Sequence, residues 1–202
     1  MADKRENAEN AILGSAAVHK TSAFGVNDGK WYIALCKSTR ERTIRDRLLK
    51  ANYQAYVASR VETRVYKSRN RRQVETIVIP SKIFIRTQES ELPKILLAFP
   101  PIYKFMLNSA MANQYGGKPF AVVPDAEMQQ LQYVLSNAEN PILFTEEPLR
   151  LDQKVRILRG PLTGFEGHYI RHGKSSYIVL KMDLGATGYV MTEIPLNDIQ
   201  PL

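Results

Sequence analysis

The chain has 202 residues, with 28 Lys and Arg against 20 Asp and Glu and a net charge of +8, enough for one ordinary domain or two small ones. Its 44% hydrophobic and 24% charged residues give a globular balance that excludes a disordered protein, and no apolar run reaches the ~20 residues of a membrane-spanning helix. The single cysteine, Cys36, excludes an internal disulfide and a cysteine-based zinc cage.

The excess positive charge is localised. Residues 31–145 carry 17 basic and 9 acidic side chains, whereas the segments on either side are balanced. A cationic surplus confined to one part of a chain points to contact with a polyanion; a solubilising surface is the competing reading.

Residues 1–29 hold Asp3, Glu6 and Glu9 among small side chains, which is neither a secretory signal nor a core-forming pattern, and are expected to be a flexible arm. A basic unit over 30–138 follows. Trp31 to Cys36 is a short apolar run that predicts a buried strand. Ser38 or Thr39 then caps a helix to about Ala51, with Ile44, Leu48 and Ala51 as its buried stripe. The rest of that helix carries Arg40, Arg42, Arg45, Arg47 and Lys50. One strand is predicted from Ala55 to Tyr66 and a second from Val74 to Ile79, forming a hairpin whose tip holds Lys67, Arg69, Arg71 and Arg72. Pro80-Ser81 interrupts the ladder before a strand over Lys82 to Arg86. A short helix from Ser90 to Leu97, a strand over Ile102 to Leu107, a turn at Gly116-Gly117 and a strand piece at Phe120 to Val123 come next. A last helix begins near Pro124, with Met128, Leu131, Val134 and Leu135 on its apolar face. The order of elements predicts an α+β, split βαβ (ferredoxin-like) fold.

Residues 139–151 are polar, contain Pro141 and Pro148 and read as a linker. Over 152–202 short strands alternate with glycine turns, at Lys154 to Leu158, Gly167 to Arg171, Tyr177 to Met182, Tyr189 to Glu193 and Ile199 to Pro201, which predicts a small β-barrel. Its most distinctive stretch runs from Gly160-Pro161 to Gly164-Phe165 and Gly167. Those glycines serve tight turning, and Phe165 plugs the barrel end.

No catalytic constellation stands out. His168 and His172 sit four apart without acidic or cysteine helpers, there is no phosphate-binding loop or nucleophile elbow, and Cys36 falls in a buried strand. The expectation is a protein that is not an enzyme, with no cofactor and no metal.

Trp31-Tyr32, the basic helix, the strand after Pro80 that contains Phe84, Ala121-Val122-Val123-Pro124 before the last helix, the Gly-Pro-x-x-Gly-x-x-Gly stretch and Leu184-Gly185 together resemble the NusG family of transcription elongation and antitermination factors. Residues 30–138 are similar to its NGN domain and 152–202 to its SH3-like KOW barrel; specialised paralogues of the RfaH and UpxY kind fit best. The resemblance implies a bacterial, cytoplasmic, monomeric factor that docks on the clamp helices of RNA polymerase and promotes antitermination on selected operons. Its contact surface maps onto Leu35, Phe84 and Tyr103 or Phe105, with burial in the core as the competing role for the two phenylalanines. The helix and hairpin cations would lie beside upstream or non-template DNA, neutralising phosphates without reading bases. The barrel would recruit a ribosomal protein or termination factor, or nascent RNA, and its zero net charge favours a protein. In some relatives this module refolds and masks the polymerase site, but its β-rich strands show no helical stripe here, so a fold switch is not expected. Lys82 stands where the family usually has an aromatic residue, a local departure. An RNA-binding or ribosome-associated KOW protein is the alternative reading.

Overall fold

The apolar run after Gly29 becomes β1 (Lys30–Cys36), and its alternating side chains feed two different cores. In the computed structural model, which describes residues 29–65, 71–109, 111, 117–172 and 175–202, β1 is the centre of an antiparallel sheet. β5 (Lys82–Thr87) lies on one side of it, with β2 (Gln54–Tyr56) beyond. On the other side, β6 (Ile102–Phe105) pairs with its C-terminal half and β7 (Val122–Val123) with its N-terminal half. Residues 1–28 of the expected arm, Lys67, Arg69 and Gly116 lie outside the described residues.

Tyr32, Ala34 and Cys36 share one face with Ile83 and Ile85, and that face is covered by α1 (Glu41–Lys50) and α2 (Leu92–Ala98) through Ile44, Leu48, Leu92 and Ile95. Ile33 and Phe84 point to the other face, into a core that also contains Met128, Leu131, Val134 and Leu135 of α3 (Asp125–Asn137). The split βαβ layout is therefore present, with helices on both faces of one antiparallel sheet.

Four local expectations change, the first being that Ala51, expected in the buried stripe of α1, is exposed at its C-terminal cap. The strand predicted from Ala55 to Tyr66 is broken: β2 ends at Tyr56, and β3 (Ser59–Val65) pairs with β4 (Arg71–Ile77) as a separate two-stranded ribbon. Buried Val57 and Ala58 make the corner, where the Ala58 carbonyl accepts from the amides of Val78 and Ile79. Arg71 and Arg72 consequently belong to a strand and not to the hairpin tip. Neither Ser38 nor Thr39 caps α1. Thr39 has φ of 75° and Arg40 occupies the cap without a side-chain bond, while the buried Glu41 carboxylate accepts from the Ser81 amide at 2.8 Å.

The second half is a barrel-like antiparallel sheet in the order β13 (Ile199–Pro201), β9 (Lys154–Ile157), β10 (Glu166–His172), β11 (Ser175–Asp183), β12 (Thr187–Glu193) and β8 (Ile142–Thr145). Five of these strands are the expected ones. The sixth, β8, lies inside 139–151, where the sequence read as linker; it pairs with β12 from Thr145↔Tyr189 to Ile142↔Thr192. The two halves are in contact. Val155, Ile157, Phe165, Ile178 and Val190 belong to the same buried cluster as Phe84 and the apolar side of α3. At this seam the Tyr133 ring stacks on Phe165 and its hydroxyl donates to the Pro161 carbonyl, while the Ser109 hydroxyl donates to the Gly185 carbonyl.

Candidate functional site

Leu35, Lys82 and Lys104 meet on one face at the end of the sheet, because Leu35 is opposite Lys82 on β5 and opposite Lys104 on β6. The register of β6 slips between Leu35 and Cys36, and the slip places Tyr103 at a bulge, 59% exposed. Leu35 is half-buried and Lys104 exposed. This corner of the sheet presents an apolar and cationic surface to solvent.

The two phenylalanines do not. Phe105 is opposite Ala34, which turns it onto the helix-covered face, where it packs edge-on against Phe120. It is a core residue, and its assignment to the contact surface is corrected on that geometry. Phe84 is on the expected face but fully buried, tilted against Tyr56. Lys82, its neighbour along β5, is also buried: its Nζ is 2.7 Å from Glu146 Oε1 and 5.7 Å from the centre of the Phe144 ring. An ammonium over an aromatic face and beside a carboxylate is doubly compensated for losing water. Lys82, where the resemblance implies an aromatic residue, thus meets the second half of the chain.

The cations of α1 divide into two groups. Arg45 turns toward β4, where its Nη1 is 2.6 Å from Glu75 Oε1, and Ser59 Oγ donates to the same oxygen. Burial pushes the Glu75 carboxyl up, but hydrogen bonds from Arg45 and Ser59 outweigh it and leave its pKa below the usual carboxylate range. Arg45 therefore fastens the helix to the β3–β4 ribbon, and its charge is already matched. Arg42 donates to the Glu75 backbone carbonyl, and Arg47 lies 5.6 Å over the Phe99 ring; both side chains stay exposed, as do Arg40 and Lys50. With Arg71 and Arg72 exposed on β4, these side chains form a surface able to neutralise phosphates.

The glycine turn of the barrel is structural. Gly160 and Gly164 have φ of 85° and 84°, the left-handed region that side chains disfavour, and they shape a loop closed by the Thr163 amide and hydroxyl on the Gly160 carbonyl. At Gly167 a Cβ would stand 2.8 Å from Ile178 Cγ1. Phe165 is buried, as expected for a plug, but it plugs toward α3, against Tyr133.

Cys36 is buried, and burial together with the nearby Glu41 charge pushes its thiol up to about 11, which leaves little thiolate for nucleophilic chemistry. His168 and His172 lie on β10, and His19 is outside the described residues.

Sequence reasoning missed Glu75, Glu146 and Phe144, whose partners are far away in the chain. It also missed Arg60, whose guanidinium donates to the carbonyls of Ala138 and Asn140 just past α3.

A family model described as the transcription termination factor NusG matches residues 29–132, which take in the whole sheet, α1 and most of α3. No curated protein matches. Among solved structures the chain is similar to Thermotoga maritima NusG, in work on its domain interaction, with 15% identity over 86% of this chain and 97% of that one and a TM-score of 0.44. It is also similar to the MjSpt4:Spt5 complex in conformation B, with 12% identity over 85% of this chain and 96% of that one and a TM-score of 0.30.

Proposed function

The chain belongs to the NusG family, and on that footing we propose that it is a transcription elongation factor that binds RNA polymerase and promotes antitermination. The observation that carries this reading is the family match over 29–132, the segment that builds both the exposed sheet corner and the cationic helix.

The mechanism is association. Leu35, Lys104 and Tyr103 form the part of the docking surface open in this structure, and the clamp helices of polymerase are its proposed partner. Phe84 and Lys82 belong to the same face but sit under β8 and α3, so they join the contact only when the second half of the chain moves aside. Arg40, Arg42, Arg47, Lys50, Arg71 and Arg72 would lie along upstream or non-template DNA, while Arg45 holds the ribbon that carries two of them. We further divide the chain into a basic NGN domain at 30–138 and a KOW domain at 152–202, the latter recruiting a second protein.

Co-sedimentation of the full chain with purified core polymerase tests the reading. The expected result is a complex weakened at least tenfold by Leu35→Glu with Tyr103→Ala. A wild-type chain that ignores polymerase but binds ribosomal RNA would put the ribosome-associated alternative in its place. For the cationic surface, Arg40→Ala with Lys50→Ala should flatten the salt dependence of DNA binding by about 0.9 for each phosphate no longer neutralised. Arg45→Ala should leave that slope unchanged.

A further inference from the structure

β8 is an edge strand of the barrel-like sheet, held on one side only. It pairs with β12 over four residues, against seven between β12 and β11. None of Ile142, Leu143, Phe144 and Thr145 is buried, and Leu143 is 46% exposed, whereas Tyr189, Val190 and Thr192 opposite them are buried. Among the described residues β8 has no strand on its outer side. The other five strands pair without it, so its departure would turn β12 into an open edge with unpaired amides and carbonyls.

We propose that β12 is a strand-accepting edge, that β8 occupies it as a tethered stand-in, and that an extended segment of a partner protein, with an aromatic residue followed two positions later by an acid, takes its place. The required side chains can be read from what β8 puts there. The Phe144 ring lies against Gly188, where an added Cβ would be 3.0 Å from its Cε2 and 2.9 Å from Leu184 Cδ1. The absence of a side chain at 188 therefore makes a flat socket for an aromatic ring. Lys82 covers that ring, and its ammonium reaches Glu146, two residues on and just past the end of β8. Backbone pairing with β12 supplies affinity, and the ring-and-acid spacing supplies selectivity, as in other cases of strand addition. A protein partner suits the edge, because residues 146–202 carry seven basic and seven acidic side chains and offer polyanions no net attraction. The proposal stands independently of polymerase binding.

The probe is a fluorescein-labelled peptide with the sequence of residues 140–147, Asn-Pro-Ile-Leu-Phe-Thr-Glu-Glu, titrated against the full chain by polarisation. A chain carrying Leu143→Cys and Met191→Cys, which face each other in register, is expected to exclude the peptide when oxidised and to admit it after reduction. Phe144→Ala in the chain weakens the stand-in and should tighten peptide binding roughly tenfold, because apparent affinity scales with the fraction of open edge. Glu146→Gln is the milder variant if the first fails to fold. Alanine at the Phe144 position of the peptide should reduce binding by a similar factor. Equal binding to the oxidised and reduced chains would show that strands add to the outer side of β8 and would overturn the proposal. So would a folded Phe144→Ala or Glu146→Gln chain that binds no more tightly than wild type.

Discussion

The two faces of the β1–β5 sheet are both buried, yet they are buried by different means. One face, with Tyr32, Ala34, Ile83 and Ile85, is sealed by α1 and α2 from the same part of the chain, and its contacts are apolar. The other, with Ile33 and Phe84, is sealed by α3 and by the barrel-like sheet, and its margin is polar: Lys82 on Glu146, Arg60 on two carbonyls, Ser109 on Gly185. An apolar contact is costly to separate because nothing in water replaces it, whereas ion pairs and carbonyl bonds can be exchanged for water at a small net loss. The first face therefore holds the fold together, while the margin of the second is built to be parted.

The severest challenge to that contrast is to truncate one fully buried side chain on each face. Ile85→Ala should cost about 2–5 kcal/mol and Phe84→Ala about 3–5 kcal/mol in urea denaturation, since both sites are fully buried. Only Phe84→Ala should also loosen the seam, seen as faster amide exchange in β8. Equal exchange in the two variants would mean that the faces do not differ in this way.

A second test concerns the helix-to-ribbon fastening. Glu75 has its pKa lowered in the folded state, so its contribution is present above the unfolded carboxylate value of ~4.3 and is lost as pH falls through the lower folded value. Glu75→Gln should therefore destabilise the protein by about 1 kcal/mol at neutral pH and by much less in strong acid. Thermal melts at several pH values would show the two curves converging below the ~4.3 of a free carboxyl.

Lys82→Met should change stability by less than about 1 kcal/mol in either direction, because the missing ion pair is offset by relief of the cost of burying an ammonium. Glu146, 51% exposed, returns to water. A loss of several kcal/mol would make Lys82 a structural element of the seam instead of a separable contact.

Most of the sheet was legible because its signals are local. Ile83, Phe84 and Ile85 lie between a proline break and charged ends, and the Met128, Leu131, Val134 and Leu135 stripe of α3 has helical spacing. The glycine turns fixed the strands of the barrel for the same reason. What could not be read depended on distant partners. The cations of α1 look equivalent in the sequence, but one of them, Arg45, faces Glu75, 30 residues away. Ile142 to Phe144 is an apolar run of three residues between two prolines, as compatible with an extended tether as with a strand. Its pairing with β12, more than 40 residues later, decides the matter. The Ala55 to Tyr66 pattern alternates without a visible break, and the corner at Val57-Ala58 exists because the returning chain bonds to the Ala58 carbonyl. The phenylalanine roles turned on register: one position along β6 separates a face toward α3 from a face toward α1.

The weakest effect lies at the seam itself and has the opposite sign from Glu75. Glu127 of α3 faces Lys181, Asp183, Asn108 and Ser109 across a cavity of about 320 Å³. Its Oε2 is buried without a partner. Burial raises its pKa; the Asp183 amide hydrogen bond works against that, and the Asp183 charge adds to it. A carboxyl whose folded pKa is raised helps the folded state below its unfolded value of ~4.3 and loses that help as pH rises through the folded value. At neutral pH the charged Glu127 is therefore a liability in the packed arrangement. Glu127→Gln keeps an acceptor for the Asp183 amide while removing the charge, and should raise stability at pH 7 by less than about 1 kcal/mol. The gain should vanish at pH 4. A variant less stable than wild type at pH 7 would show that the ionised carboxylate strengthens the seam, and would make Glu127 a contact that holds the two halves together.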